Sequence, residues 1–232
     1  MKKKIVKKTW WQRLKRIFIW LFILQFVYIV ILRWINPPFT ITQVVSLIKG
    51  NGLKRDYVSY NDINNSAKLA VMAGEDQLFP DHNGFDVKAI KKAVKYNKKH
   101  PTKVRGASTI SQQVAKNVFL WQGGGFFRKG LEVYFTFMIE TFWGKPRILQ
   151  MYLNVAEMGK GIFGIQAAAQ NYFNKDAAVL SRNEAAQIAA ALPNPVRFTV
   201  KPLSKYVVAR TGNIMRQMNN LETDPDIREL IK

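Results

Sequence analysis

The sequence predicts a mostly α-helical domain carried behind one N-terminal membrane-spanning helix. Three observations predict it. An apolar run from Ile17 to Ile35 follows a purely basic leader; apolar residues recur at helical spacing from about residue 60 onward; strand signals are few and short.

The leader, residues 2–16, holds Lys2, Lys3, Lys4, Lys7, Lys8, Arg13, Lys15 and Arg16 and no acid. From Ile17 to Leu32 every residue is apolar except Gln25 and Tyr28, and Trp34 and Ile35 extend the run past Arg33. As a helix, residues 17–35 span about 28 Å at ~1.5 Å per residue, against a hydrocarbon core of roughly 30 Å. Trp10, Trp11 and Trp34 flank it as interfacial aromatics do, and Arg33 can snorkel from its end. A cleaved signal peptide would need a small-residue cleavage site, whereas Trp34-Ile35-Asn36-Pro37-Pro38 follows here. A buried core helix is rarely apolar on all faces behind a purely basic lead-in. An uncleaved anchor is therefore expected, with a cytoplasmic tail at 1–16 and the span at 17–35. The positive leader puts everything after Pro38 outside the inner membrane. A connector is expected over 36–60 and a folded domain over 61–232.

Charge narrows the partners. Lys and Arg number 36 against 15 acids, a net +21, which calls for a membrane surface, a phosphorylated substrate or nucleic acid. Nucleic acid is disfavoured, because the +13 left after the 8 cations of the leader lies in the wrong compartment. With no cysteine there is no disulfide framework, thiol nucleophile or thiolate metal site, and two histidines leave little for zinc.

Within the domain, Ile63, Ala67, Ala70, Val71 and Gly74 make one helical face. Val87, Ile90 and Val94 make another, opposed by Lys88, Lys91, Lys92, Lys95, Lys98 and Lys99. That basic face suits anionic headgroups or plain solvent. Ser181-Arg-Asn-Glu184 is a capping box opening an alanine-rich helix that Pro193 and Pro195 close. The aromatic stretch from Val118 to Trp143 is interrupted by Arg128, Lys129, Glu132 and Glu140, so it is no second span. Most of its rings are expected in the core. Phe126 and Phe127, behind Gly123-Gly124-Gly125, are expected to dip into the bilayer.

Three clusters can carry chemistry. Glu75 and Asp76 are adjacent carboxylates where an apolar helix ends. Such a pair resists double ionisation, which lifts one carboxyl toward a general base's range, although an ordinary surface pair is the commoner meaning of that spacing. Between Gly106 and Asn117, Ser108, Gln112 and Lys116 recur every four residues, with Thr109, Gln113 and Asn117 beside them. This hydroxyl, carboxamide and ammonium face suits sugar hydroxyls and phosphate oxygens, or solvent. Arg128, Lys129 and Glu132 share one helical turn. They form either an ordinary salt bridge or a diphosphate site, direct or through a divalent metal. Ser46-Leu-Ile-Lys49 with Arg210-Thr-Gly212 imitates the transpeptidase signature but lacks its Ser-Asp-Asn element and carries no weight.

Taken together these clusters resemble the peptidoglycan glycosyltransferases, the family of the N-terminal domain of bifunctional penicillin-binding proteins. The resemblance runs over roughly residues 60–205. Its first motif is matched by Glu75-Asp76, Phe79, His82, Gly84 and Asp86, its second by Gly106 to Asn117, and its third by Arg128, Lys129 and Glu132. Lys145 to Asn154 resembles the fourth, with Gln150 where Glu is usual. Gly161, Gly164, Ala167-Ala168, Tyr172-Phe173 and Leu192-Pro193-Asn194-Pro195 resemble the remainder. Because the chain ends soon after, it resembles the monofunctional form. The resemblance implies a lysozyme-like helical fold and processive polymerisation of lipid II onto a growing glycan chain, inverting to a β-1,4 link and releasing polyprenyl diphosphate. It implies Glu75 as the base and Lys116, Arg128 and Lys129 as diphosphate cations. Ser108, Thr109, Gln112, Gln113 and Asn117 would bind sugar and phosphate, with Asp76 beside them. Glu132 would bind a diphosphate-linked divalent metal such as Mg or Mn, or orient the cations. No organic cofactor is implied; cell-wall synthesis or division proteins are the partners to expect. A wall-cleaving lysozyme-like enzyme would need one acid glutamate and no diphosphate site. A tethered polyanion-binding protein would leave Glu75 and the Ser/Gln face unexplained.

Overall fold

The computed structural model describes residues 10–102 and 104–232. The cytoplasmic tail expected at 1–16 lies mostly outside the described residues. Two compact units divide between Ile35 and Asn36. The first holds α1 (Trp10–Ile31), which is long and apolar enough to cross a membrane. Its 22 residues span about 33 Å at ~1.5 Å per residue. The helix already covers Trp10 to Arg16 of the basic leader, since nothing there breaks a helix, and its regular turns stop at Ile31, short of Ile35.

The second unit is built from ten further helices and three very short strands among the described residues. Its first elements fall where a connector is expected. Thr40 and Gln43 form a reciprocal capping box that starts α2 (Ile41–Ile48), and Lys54–Arg55 forms β1. A short helix between Pro37-Pro38 and Gly50 carries too little periodicity to stand out in the sequence. Ser46, dismissed above as a nucleophile, is buried and donates to the Gly52 carbonyl at 2.8 Å.

Helix α3 (Asn65–Glu75) is the central element. It packs on α9 (Arg182–Ala191) and α10 (Lys205–Leu221). The fit is close because the facing residues are small. A Cβ on Gly74 would come within 3.4 Å of Ile214 Cδ1 and 3.8 Å of Ala189 Cβ. Helix α9 starts at the Ser181–Glu184 capping box as its sequence predicts. Helix α4 (Val87–Lys99), capped by Asp86, buries none of its residues; Val87 and Val94 are both exposed.

Helix α5 (Ile110–Phe119) packs between α6 (Phe126–Phe142) and α7 (Lys145–Val155). Helix α7 buries Ile148, Leu149, Met151, Tyr152, Leu153 and Val155. Helix α6 carries apolar residues on more than the one face it packs against α5 and α7. Met138 and Ile139 are therefore buried, whereas Phe126, Phe127 and Phe137 are exposed. Beyond α7, Glu157–Gly159 (β2) pairs antiparallel with Ile162–Phe163 (β3), and β3 pairs parallel with β1. Helices α8 (Ile165–Phe173) and α11 (Pro225–Ile231) complete the unit. Gly164 must be glycine: its φ is +86°, and a Cβ there would meet the Asn154 carbonyl oxygen at 2.6 Å.

Candidate active site

Glu75 is the last residue of α3, where the helix opens into a cavity of about 600 Å³. The lining includes Glu75, Asp76, Ser108, Thr109, Gln113 and Arg210. A second hollow of about 280 Å³ is lined by Gln113, Lys116, Asn117, Gln122, Tyr152 and Glu157. Gln113 and Pro193 line both, so the two are lobes of one cleft.

The Glu75 side chain is only 12% exposed. Gln113 Nε2 donates to its Oε2 at 2.8 Å, and Tyr152 Oη donates to Gln113 Oε1 at 3.3 Å. Arg210 Nη2 approaches Glu75 Oε1 at 3.5 Å while donating to the Gly74 carbonyl at 2.7 Å. Burial lifts the Glu75 carboxyl above the usual carboxylate range; the Gln113 hydrogen bond, Arg210 and Lys116 oppose this, and Asp76 adds to it. The adjacent acid, which the sequence offers as the cause, is thus the smallest contributor, behind desolvation.

Asp76 caps that helix, but its carboxylate faces the protein. Oδ2 accepts from the Ile110 N–H at 2.9 Å, and His82 Nε2 donates to Oδ1 at 3.0 Å. The other ring nitrogen, Nδ1, accepts from the Gly84 N–H at 3.1 Å, so the imidazole proton sits on Nε2. Asp76 therefore ties the end of α3 to the start of α5. Gly84 makes the same corner possible: with φ +86°, it leaves a space in which a Cβ would collide with Thr136 Cγ2 at 2.6 Å.

The polar face of the second motif divides in two. Thr109 is the N-cap of α5, accepting from the Gln112 N–H at 3.2 Å and donating to the Gly84 carbonyl at 2.7 Å. Gln112 Oε1 returns the bond by accepting from the Thr109 N–H at 3.1 Å. Both side chains are buried, and their work is to start the helix. Ser108 precedes the helix and is exposed at the cleft, so the expected four-residue stripe breaks there. Gln113, Lys116 and Asn117 do share a face of α5 along the second lobe, where Asn117 Oδ1 accepts from Gln122 Nε2 at 3.2 Å.

Lys116 links the two charged centres. Its ammonium is pushed below the usual lysine range by burial; Glu132 and Glu75 pull it back up, and Arg128 and Lys129 add to the depression. Glu132 is 2% exposed on α6 and lines neither lobe. Its Oε2 accepts from Arg128 Nη1 at 2.7 Å and its Oε1 from Lys129 Nζ. Arg128 and Lys129 also lie outside the two lobes, joined to them through Lys116. In the fourth motif Gln150 is structural. Its Oε1 accepts from Arg147 Nη1 at 2.8 Å and its Nε2 donates to the Val58 carbonyl at 3.4 Å, which a glutamate could not do.

Arg210 and Tyr152 complete the surroundings of Glu75. Tyr152 stands in the fourth motif, but nothing in the local sequence aims Arg210 at a carboxylate so far away along the chain.

The transglycosylase family model matches residues 42–219. The chain belongs to the transglycosylase family. Its match begins at the second residue of α2, well before the domain start expected at 61. The transglycosylase is 49% identical over 216 residues to the biosynthetic peptidoglycan transglycosylase of Pseudomonas entomophila, covering 90% of this chain and 91% of that protein. It is 53% identical over 174 residues to the protein of that name from Shigella boydii, covering 75% and 72%. It is 45% identical over 223 residues to the one from Pseudomonas aeruginosa, covering 94% and 96%. The helical architecture and the glycosyl-transfer activity follow from that membership.

Proposed function

We propose that this transglycosylase polymerises lipid II into β-1,4-linked peptidoglycan strands outside the inner membrane, with inversion at the anomeric carbon. The observation that carries the reading is one cleft holding a largely desolvated carboxylate at one lobe and a partly buried ammonium at the other. Glu75 takes the proton from the 4-hydroxyl of the acceptor sugar, and that oxygen forms the bond to the anomeric carbon as the bond to the polyprenyl diphosphate breaks. The raised pKa of Glu75 suits the task, because a carboxylate shifted in that direction is a stronger proton acceptor than an ordinary one. Gln113 fixes the carboxylate's aim through its 2.8 Å bond.

The leaving diphosphate gains charge as it departs and needs cations placed beforehand. Lys116 stands at the second lobe, with Arg128 and Lys129 behind it. Ser108, Gln113 and Asn117 are the cleft-facing side chains available to sugar and phosphate oxygens. Glu132 orients Arg128 and Lys129, since both of its oxygens are already engaged by them. A Mg or Mn ion on Glu132 would have to displace those cations. The described residues form no cluster of three His, Asp or Glu, so a Mg or Mn ion here would be held chiefly by the substrate's diphosphate, with Glu132 as its protein carboxylate.

Helix α1 anchors the chain in the membrane, and its basic leader sets the N-terminus in the cytoplasm. Phe126 and Phe127, 98% and 77% exposed at the head of α6, supply a greasy edge for meeting a lipid-borne substrate at the bilayer surface. The test is the purified protein in detergent with lipid II, its products separated by electrophoresis. Glu75→Gln is expected to abolish polymer while leaving lipid II binding nearly intact. Polymer from that variant overturns the base assignment, and shortening of added glycan would indicate a wall-cleaving enzyme.

A further inference from the structure

Arg210 lies on α10, outside every motif that singled out the cleft, yet its side chain reaches the end of α3. Its Nη2 donates to the Gly74 carbonyl at 2.7 Å and stands 3.5 Å from Glu75 Oε1. Its Nη1 donates to Tyr206 Oη, one turn earlier on α10, at 2.8 Å, which fixes the fork from behind. Tyr206 is itself stacked on Phe198, centroids 3.8 Å apart. Gly74 is a residue of the last turn of α3, and its carbonyl is among those a helix end leaves without an intrahelical donor.

We propose that Arg210 is a positioning residue for Glu75. From α10 it holds both the last turn of α3 and the carboxylate that this turn presents to the cleft. The proposal rests on the reading of Glu75 as the base and adds how that base is aimed. The guanidinium suits this because one arm of its planar fork, Nη1, is held by Tyr206 Oη while the other, Nη2, meets the Gly74 carbonyl and Glu75 at fixed angles, which a lysine's freely rotating ammonium does not reproduce.

Four charged or titratable groups face Glu75: Arg210 from α10, Lys116 from α5, Asp76 at the end of α3 and Tyr152 from α7. The first two favour its ionised form and Asp76 opposes it. Removing Arg210 leaves burial less opposed, so the proton is held more tightly.

The experiment measures lipid II polymerisation against pH for full-length wild type, Arg210→Ala, Arg210→Lys and Glu75→Gln in detergent, with thermal unfolding of each. Arg210→Ala is expected to lose roughly tenfold or more of kcat/KM near neutral pH. Its acid limb is expected at higher pH than wild type, with activity regained as pH rises and with added guanidinium. Arg210→Lys is expected to keep the acid limb near wild type while kcat falls and KM holds. A folded Arg210→Ala variant with an unmoved limb overturns the proposal. Should that variant fail to fold, Arg210→Lys decides: wild-type rate and profile together overturn it. A direct titration of the Glu75 carboxyl by carbon NMR separates the two readings. Polymer from Glu75→Gln sinks the base assignment, whereas a Glu75 titration unchanged by loss of Arg210 sinks the positioning role.

Discussion

Replacing Asp76 with alanine strips the acceptor from two donors that reach it from different parts of the chain. The Ile110 N–H lies 2.9 Å away and the His82 Nε2–H 3.0 Å away. Ile110 is fully buried, so its N–H has no other protein acceptor to turn to at that helix start. A buried donor left unmatched costs about 1–3 kcal/mol, and a hydrogen bond to a charged group is worth about 1.5–3 kcal/mol. The two overlap, so the expected loss is about 3–4 kcal/mol. At ~2–4 °C per kcal/mol for a domain of this size, Asp76→Ala lowers Tm by roughly 6–16 °C. Asp76→Asn keeps an oxygen for the Ile110 N–H but loses the charge and sets an amide N–H against the His82 Nε2–H, so about 2–3 kcal/mol and a smaller Tm drop than alanine's are expected. Thermal unfolding of the three full-length proteins, followed by circular dichroism, gives the order wild type, Asn, Ala. Polymerisation by the Asn variant adds a sign check. Asp76 raises the Glu75 carboxyl, so its neutralisation moves the acid limb of activity to lower pH. An Ala variant that melts with wild type but makes no polymer would refute the reasoning, and Asp76 would then belong to the substrate site.

Glu75 and the two leading phenylalanines give further expectations. Because burial raises Glu75 in the folded state, its stabilising contribution is complete below the ordinary carboxylate range. That contribution is lost as pH rises through the raised value. Glu75→Gln should therefore melt higher than wild type near neutral pH, with the difference closing on acidification; a pH-independent difference would contradict the burial argument. The double change Phe126→Ser, Phe127→Ser removes only exposed rings and should leave Tm within about 0.5 kcal/mol equivalent. It should lower polymerisation of lipid II in vesicles more than in detergent, and equal rates in both would show that the rings do not touch the bilayer.

Features that are periodic or local could be read from the sequence. The α1 span shows as a continuous apolar run, although its helical extension over Trp10 to Arg16 does not, because basic residues are good helix formers when a helix already follows. The Ser181–Glu184 capping box is visible because its two partners are three residues apart. Thr109-Ile-Ser-Gln112 carries the same signature and could have been read the same way. Its two partners, Thr109 and Gln112, hold the first turn of α5. Thr40-Ile-Thr-Gln43 carries the signature too, at the head of α2.

Sequence by itself determined the anchor, the helical class, the family and the presence of Glu75, Lys116 and the Arg128–Lys129–Glu132 turn. Tertiary structure alone decided which of the polar residues face the cleft and which hold it together. Asp76 meets Ile110 34 positions away, Gln113 meets Glu75 38 positions away, and Arg210 meets Glu75 135 positions away. No spacing rule links such residues, since their proximity comes from α3, α5 and α10 packing into one core. Burial, which lifts the Glu75 carboxyl above the usual carboxylate range, belongs to that core and to no stretch of sequence.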